Sequence, residues 1–302
     1  MPVRLTCALL PIALATLGCD RIQALKDQLT GSPKIEGGRD PELEAVKNLY
    51  QSGRYDEALS TVAAVIQSNP GSTEAFYYKG LSHLARAGAE ADPKAPLTED
   101  EAASLEAFER ALSLNPRHAP SAIGIGDLYS RRVPARRRAR AANDDREDPY
   151  VLASASYERA VGIDPKLPEA QRQYGRFLER TGQLDLADAA FKASVEAAAV
   201  IPELAPDYYL AYGRFLAGPR DQLEAALEQF QLAQVFRQDD PQIQQEIAVV
   251  YSRVGLRHLE KEEYLLAEEA LKKAESLFTD RSSADAQKAA QALEQLRSMR
   301  RR

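Results

Sequence analysis

Cysteine is scarce in this chain: Cys7 and Cys19 are the only two among 302 residues, both near the N-terminus, so no disulfide framework can staple the rest together. Histidine is as sparse. His83, His118 and His258 are far apart, and none stands in a ligand spacing such as His-x-x-x-His, so no metal site is expected. A glycine-rich phosphate loop is missing, as is a Gly-x-Ser-x-Gly elbow, and no cysteine is available as a nucleophile. No catalytic residue, no cofactor and no enzymatic activity are therefore expected. Beyond residue 17 no stretch is apolar enough to span a bilayer, which takes about 20 residues. An excess of positive charge is missing too. Lys and Arg number 39 against 45 Asp and Glu, a net charge of −6, the wrong sign overall for a nucleic-acid surface. What remains, 44% apolar and 28% charged residues, suffices for a sizeable packed core and excludes a disordered chain.

The one long apolar run is at the start. Arg4 is followed by an apolar segment from Leu5 to Leu17, and Leu17-Gly18-Cys19 closes it with small residues. A run this short fits the core of a secretory signal, not a permanent span. Thr16-Leu17-Gly18-Cys19 resembles the lipobox of bacterial lipoproteins, although Thr16 stands where that family usually has Leu. The resemblance implies a signal peptide over residues 1–18, acylation of Cys19 with palmitate-type chains, and an anchor in the bacterial cell envelope facing the periplasm. Two or three acyl chains hold a protein stably where one is marginal. Asp20 resembles an inner-membrane retention signal of enterobacterial lipoproteins, and the choice between inner and outer membrane stays open. Removing the signal removes Arg4 and takes the net charge to −7, and leaves Cys19 as the sole thiol. Residues 19–39 are rich in Gly, Pro and charge and read as a flexible tether of about 25 Å.

From residue 40 the chain repeats itself. Gly53-Arg54-Tyr55-Asp56-Glu57-Ala58-Leu59, Val62, Val65 and Asn69-Pro70 match the second half of a tetratricopeptide repeat (TPR), whose period is 34 residues. The pattern returns as Leu105, Phe108, Ala111 and Asn115-Pro116, and as Tyr157, Ala160 and Asp164-Pro165. First-half markers alternate with these: Phe76 and Gly80, Ile125-Gly126 and Tyr129, Tyr174-Gly175 and Leu178, Tyr212-Gly213 and Leu216. Gly182, Leu184, Ala187, Ala190 and Phe191 complete a fourth repeat, Ala226, Phe230 and Ala233 a fifth, and Tyr251, Tyr264, Ala267, Leu271 and Ala274 a sixth. The chain thus resembles TPR proteins over 40–279. This implies an all-α, right-handed solenoid of about six helix pairs. Residues 280–302, with Ala286, Ala289, Leu293 and Leu296 at helical spacing, read as a capping helix over the exposed end.

Two repeats are stretched, Pro70 to Pro116 spanning 46 residues and Pro116 to Pro165 spanning 49. The extra residues fall at 86–101 and 131–150, between the two helices of a pair, and inserted loops of a solenoid cluster on one face. The second insert opens with six arginines in ten residues, Arg131, Arg132, Arg136, Arg137, Arg138 and Arg140, followed by Asp144, Asp145, Glu147 and Asp148. It reads as a self-paired solvated loop or, through Arg136, Arg137 and Arg138, a docking patch for an acidic partner or anionic lipid. It lacks the interleaved aromatics that stack on bases, and nucleic acid is not an expected partner.

The TPR resemblance also implies a binding groove lined by first-helix side chains. Its places fall on Lys47 and Tyr50, on Glu74, Tyr77 and Leu81, on Ile123 and Asp127, on Arg172, Arg176 and Glu179, and on Leu210 and Arg214. Leu43 stands where a chaperone-type carboxylate clamp needs lysine. The implied function is a membrane-tethered scaffold or adaptor for partner proteins in cell-envelope assembly or secretion, of the pilus, secretin or outer-membrane type. The alternatives are a polysaccharide-export subunit, a regulator of a periplasmic or cell-wall hydrolase, or an enzyme whose site is not visible in sequence.

Overall fold

The structure, a computed structural model, describes residues 41–88, 91–92, 95–134, 148–201 and 203–300. Thirteen helices form among them, and the first twelve make six antiparallel pairs, each of a first (A) and a second (B) helix. The pairs are α1 (Pro41–Gln51) with α2 (Tyr55–Ser68), α3 (Thr73–Arg86) with α4 (Glu99–Leu114), and α5 (Ala119–Ser130) with α6 (Pro149–Ile163). They continue as α7 (Pro168–Thr181) with α8 (Leu184–Ala198), α9 (Ala205–Ala217) with α10 (Leu223–Phe236), and α11 (Pro241–Glu260) with α12 (Tyr264–Leu277). The last helix, α13 (Ala284–Arg300), has no partner of its own.

Local chemistry marks the joints. Asn69, Asn115 and Asp164 end B helices, and each side-chain oxygen accepts from the amide two residues on, at 3.2, 3.0 and 3.0 Å. The proline that follows each cannot continue the helix, so the chain turns into the next A helix. Gly53 and Gly182 close A helices at φ +74° and +82°, a left-handed conformation that costs a side chain energy. In the fifth and sixth repeats Asp221 (φ 54°) and Glu262 (φ 61°) hold that conformation without being glycine.

Within a pair the helices cross where a glycine faces a large side chain. A Cβ on Gly80 would lie 2.6 Å from the Phe108 ring, on Gly126 2.7 Å from Tyr157, and on Gly213 2.4 Å from Phe230. Repeat six pairs Gly255 with Leu271 in the same way, and repeat one has Val46 and Val62 there, both fully buried in one cluster. The combined size of the two side chains is roughly conserved from repeat to repeat, as close packing requires. Phe108 also lies 2.4 Å from where a Cβ on Gly124 would be, so one ring joins the second repeat to the third.

Each A helix touches the next A helix, from α1 through α11, while no B helix touches the next B helix among the described residues. The array therefore curves with its A helices inside. α13 packs on both α11 and α12, as the A helix of a seventh repeat would. It buries Ala289, Leu293 and Leu296 and leaves Gln287, Gln291, Glu294 and Arg297 exposed, giving the open end a polar face.

Candidate functional site: the concave A-helix groove

At the centre of the concave side is Asp127 on α5. Its carboxylate accepts a hydrogen bond from Tyr157 Oη on α6 at 2.6 Å. Burial pushes its pKa up to about 6. Glu169 adds to that rise, and the Tyr157 hydrogen bond, Arg131 and Arg176 oppose it. Tyr157 itself is almost fully buried, and burial together with Asp127 raises its phenol well above the ordinary value. Tyr50, Tyr77 and Arg180 also lie within electrostatic reach of Asp127.

Beside Asp127, α7 presents Arg172, Arg176 and Arg180 at four-residue spacing, which places them above one another on one face. Glu169 holds the first of them: Arg172 Nη2 donates to it at 2.5 Å, and Gln173 and Tyr208 Oη donate to the same carboxylate at 2.8 and 3.0 Å. The Arg172 guanidinium also lies 4.7 Å from the centre of the Tyr208 ring, a cation–π contact. Its Nε is buried without a partner among the described residues. Arg176 is exposed and makes no hydrogen bond or ion pair among the described residues. The wall around it displaces water, and that desolvation, with Arg172 alongside, pushes its pKa below the ordinary arginine value. Arg180 donates to the Ser130 carbonyl and ties α7 to the end of α5.

The other end of the groove is aromatic. Tyr77 lies 5.3 Å from Tyr78 and 5.2 Å from the His118 ring, and Tyr50 lies 6.2 Å from Tyr78, in the edge-on arrangements rings prefer. His118 is buried, with Nε2 3.0 Å from Glu74 Oε1 and Nδ1 2.8 Å from Ser121 Oγ.

The fold thus brings Tyr50, Tyr77, Asp127, Arg172 and Arg176 into one connected surface. Lys47 stands half-buried on α1, with no ion pair among the described residues. Arg214 is exposed further along, but its Nε donates to Glu246 at 2.6 Å, so it is not a free cation. Ile123 and Leu210 are buried between helices and do not open onto the groove. Arg131, Glu169 and Arg180 belong to the same surface, with the buried Tyr208 ring against Arg172, and none of the four was among the groove places read from sequence. Arg131 and Arg180 each stand one turn beyond a groove residue, a spacing that could have flagged them.

Cys19, the leader and tether, and Arg136, Arg137 and Arg138 lie outside the described residues. The arginine run is nonetheless divided, and its first two members do not belong to a solvated, self-paired loop. Arg131 donates to the Leu84 carbonyl at 2.7 Å and to that of Gly88. Arg132 is 5% exposed, pairs with the buried Glu101 at 3.0 Å, and donates to the carbonyls of Asp92, Ala95 and Pro96 at 3.1, 2.6 and 3.0 Å. Among the described residues no group of three or more His, Cys, Asp and Glu is placed to hold a metal ion, and no helix is long and apolar enough to cross a membrane.

No protein-family model and no curated protein matches the chain. Solved structures do. A thermophilic TPR protein of Thermus thermophilus is 20% identical, with 70% of this chain and 97% of that one covered and a TM-score of 0.52. PilW, described as a widely conserved type IV pilus biogenesis factor, is 15% identical over 83% of this chain and 97% of its own, with a TM-score of 0.52. Yeast Tom70 is 12% identical over 81% of this chain and 44% of its own, with a TM-score of 0.50. The fold is that of the tetratricopeptide-repeat proteins.

Proposed function

We propose that this chain is a scaffold that holds partner proteins in the concave groove, tethered to the bacterial envelope by acyl chains on Cys19 and serving the assembly or secretion machinery there, without catalytic activity of its own. The observation that carries the binding half is the groove surface. It offers exposed Arg176 and half-engaged Arg172 beside the Tyr50 and Tyr77 rings, and aromatic and arginine side chains dominate interface hot spots. The tether rests on the sequence around Cys19. That PilW, which shares the fold over most of both chains, is a pilus biogenesis factor agrees with a role in envelope assembly.

The test uses cells that express the full chain. An alkyne fatty acid should label the wild type and miss Cys19→Ser, and partners captured from envelope extract should be lost from the variant Arg172→Ala with Arg176→Ala at unchanged helicity. Removing two such anchors should cost at least about 2 kcal/mol of binding. Charge removal at Arg136, Arg137 and Arg138 should matter little, and less still in salt, where exposed charges are screened beyond about 8 Å. Partner capture that survives the groove variant and disappears with the loop variant would make the loop the recognition element.

A further inference from the structure

We propose that the groove along α7 reads side-chain carboxylates: an acidic, extended segment of a partner protein lies across Arg172 and Arg176, beside Asp127. The inference deepens the groove reading above and rests on it.

Charge complementarity carries the proposal. Of the five cations along this stretch, Arg131 and Arg180 donate to backbone carbonyls and Arg214 is paired with Glu246. Arg172 is engaged by Glu169 through one nitrogen and keeps a buried, unpartnered Nε, and Arg176 has no partner among the described residues. A guanidinium in a partly dehydrated concavity beside a like charge gains from an incoming anion, and a carboxylate can bind it with two parallel hydrogen bonds. Spacing decides the kind of anion. Arg172 and Arg176 are one turn apart, about 6 Å along the helix. Alternate residues of an extended chain are about 6.7 Å apart on one side. Acidic residues at alternate positions therefore meet both guanidiniums, which a single chain-terminal carboxylate cannot do. Asp127, Glu169 and Glu179 already stand among the arginines, so the surface suits singly charged carboxylates better than doubly charged phosphate.

Asp127 couples the site to pH. The groups that face it are Arg131 just past the end of its own helix, Tyr157 on α6, Glu169, Arg176 and Arg180 on α7, Tyr77 on α3 and Tyr50 on α1. Burial pushes the carboxyl of Asp127 itself up to about 6. A carboxylate arriving beside it favours its neutral form, so binding takes up a proton and tightens as pH falls through that value.

The experiment measures fluorescence anisotropy of a labelled, C-terminally amidated peptide of alternating Glu and Leu, and of its Lys–Leu counterpart, with the full chain. The Glu–Leu peptide should bind and the Lys–Leu peptide should not. Arg176→Ala should weaken binding about tenfold, and Arg176→Lys, which keeps the charge without the fork, by less. Asp127→Asn should tighten binding at pH about 7.5 and flatten the gain otherwise seen at pH about 5, on either side of the value of about 6. Equal affinity for both peptides, indifference to Arg176→Ala, or displacement by inorganic phosphate as effective as by free peptide would overturn the carboxylate assignment. If Glu–Leu binding is absent while the Arg172→Ala, Arg176→Ala variant still loses its cellular partner, only this inference fails. If that variant keeps its partner, the groove reading fails with it.

Discussion

The Asp127 carboxyl is held where burial outweighs the hydrogen bond it receives from Tyr157. Its pKa rises from 3.8 to about 6. Between those values the folded chain binds a proton that the unfolded chain has released, so this group's contribution to stability improves as pH falls through about 6 and is worst at neutral pH. Asp127→Asn keeps an oxygen for Tyr157 and removes the charge. It should therefore stabilise the chain at pH about 7.5 by roughly 1–2 kcal/mol, and the gain should vanish near pH 4, as read by denaturant unfolding. A variant less stable than wild type at neutral pH would contradict this account of the site. Ala187 tests the packing: it is fully buried on α8, and Ala187→Leu should lower stability by about 1–3 kcal/mol, an unchanged thermal transition contradicting the register. Residues at these crossings were legible in sequence because a glycine facing a ring leaves a fixed mark in repeats two to five. Gly255 was missed because its partner is Leu271 and not a ring. The Tyr157–Asp127 bond was not legible, since the two lie 30 residues apart and meet only once α5 and α6 pair.

At the scale of elements, the inserted segment after α3 is held from the next repeat. Arg132, just past α5, pairs with Glu101 in the first turn of α4 and gathers the carbonyls of Asp92, Ala95 and Pro96. Thr98 and Glu101 cap α4 reciprocally, so one glutamate serves both the helix start and the ion pair. A half-broken buried pair is costly, and Arg132→Ala should destabilise by about 3–5 kcal/mol and speed amide exchange around residues 95–98. Replacement of both partners by apolar residues of similar size should restore much of the loss. Unchanged exchange in the single variant would show that the contact does not hold the segment. The positions of both inserts followed from the stretched spacing of the prolines, but the fate of Arg132 did not, because its partner belongs to the preceding repeat. The pairing of Arg214 was not legible either, for a related reason. α11 begins at Pro241, 14 residues before Gly255, where α3, α5 and α7 begin 7 residues before Gly80, Gly126 and Gly175. The added turns carry Glu246 to Arg214.

For the whole molecule, the A helices touch in series and the B helices, among the described residues, do not, and that single feature gives the chain an inner face of polar and aromatic side chains and an outer face with exposed apolar groups such as Leu186 and Leu265. The period read from sequence leads to the helix pairs and to the cap, whereas the charge balance of the inner face depends on pairings between repeats that no local pattern announces. The central claim is that partners lie on the inner face. The direct measurement is site-specific photo-crosslinking in cells, with a photoreactive residue placed in turn at Lys47 and Glu179 on the inner face and at Leu186 and Leu265 on the outer face. The account predicts partner adducts from the two inner positions and none from the outer two. Adducts from Leu186 or Leu265 alone would contradict it.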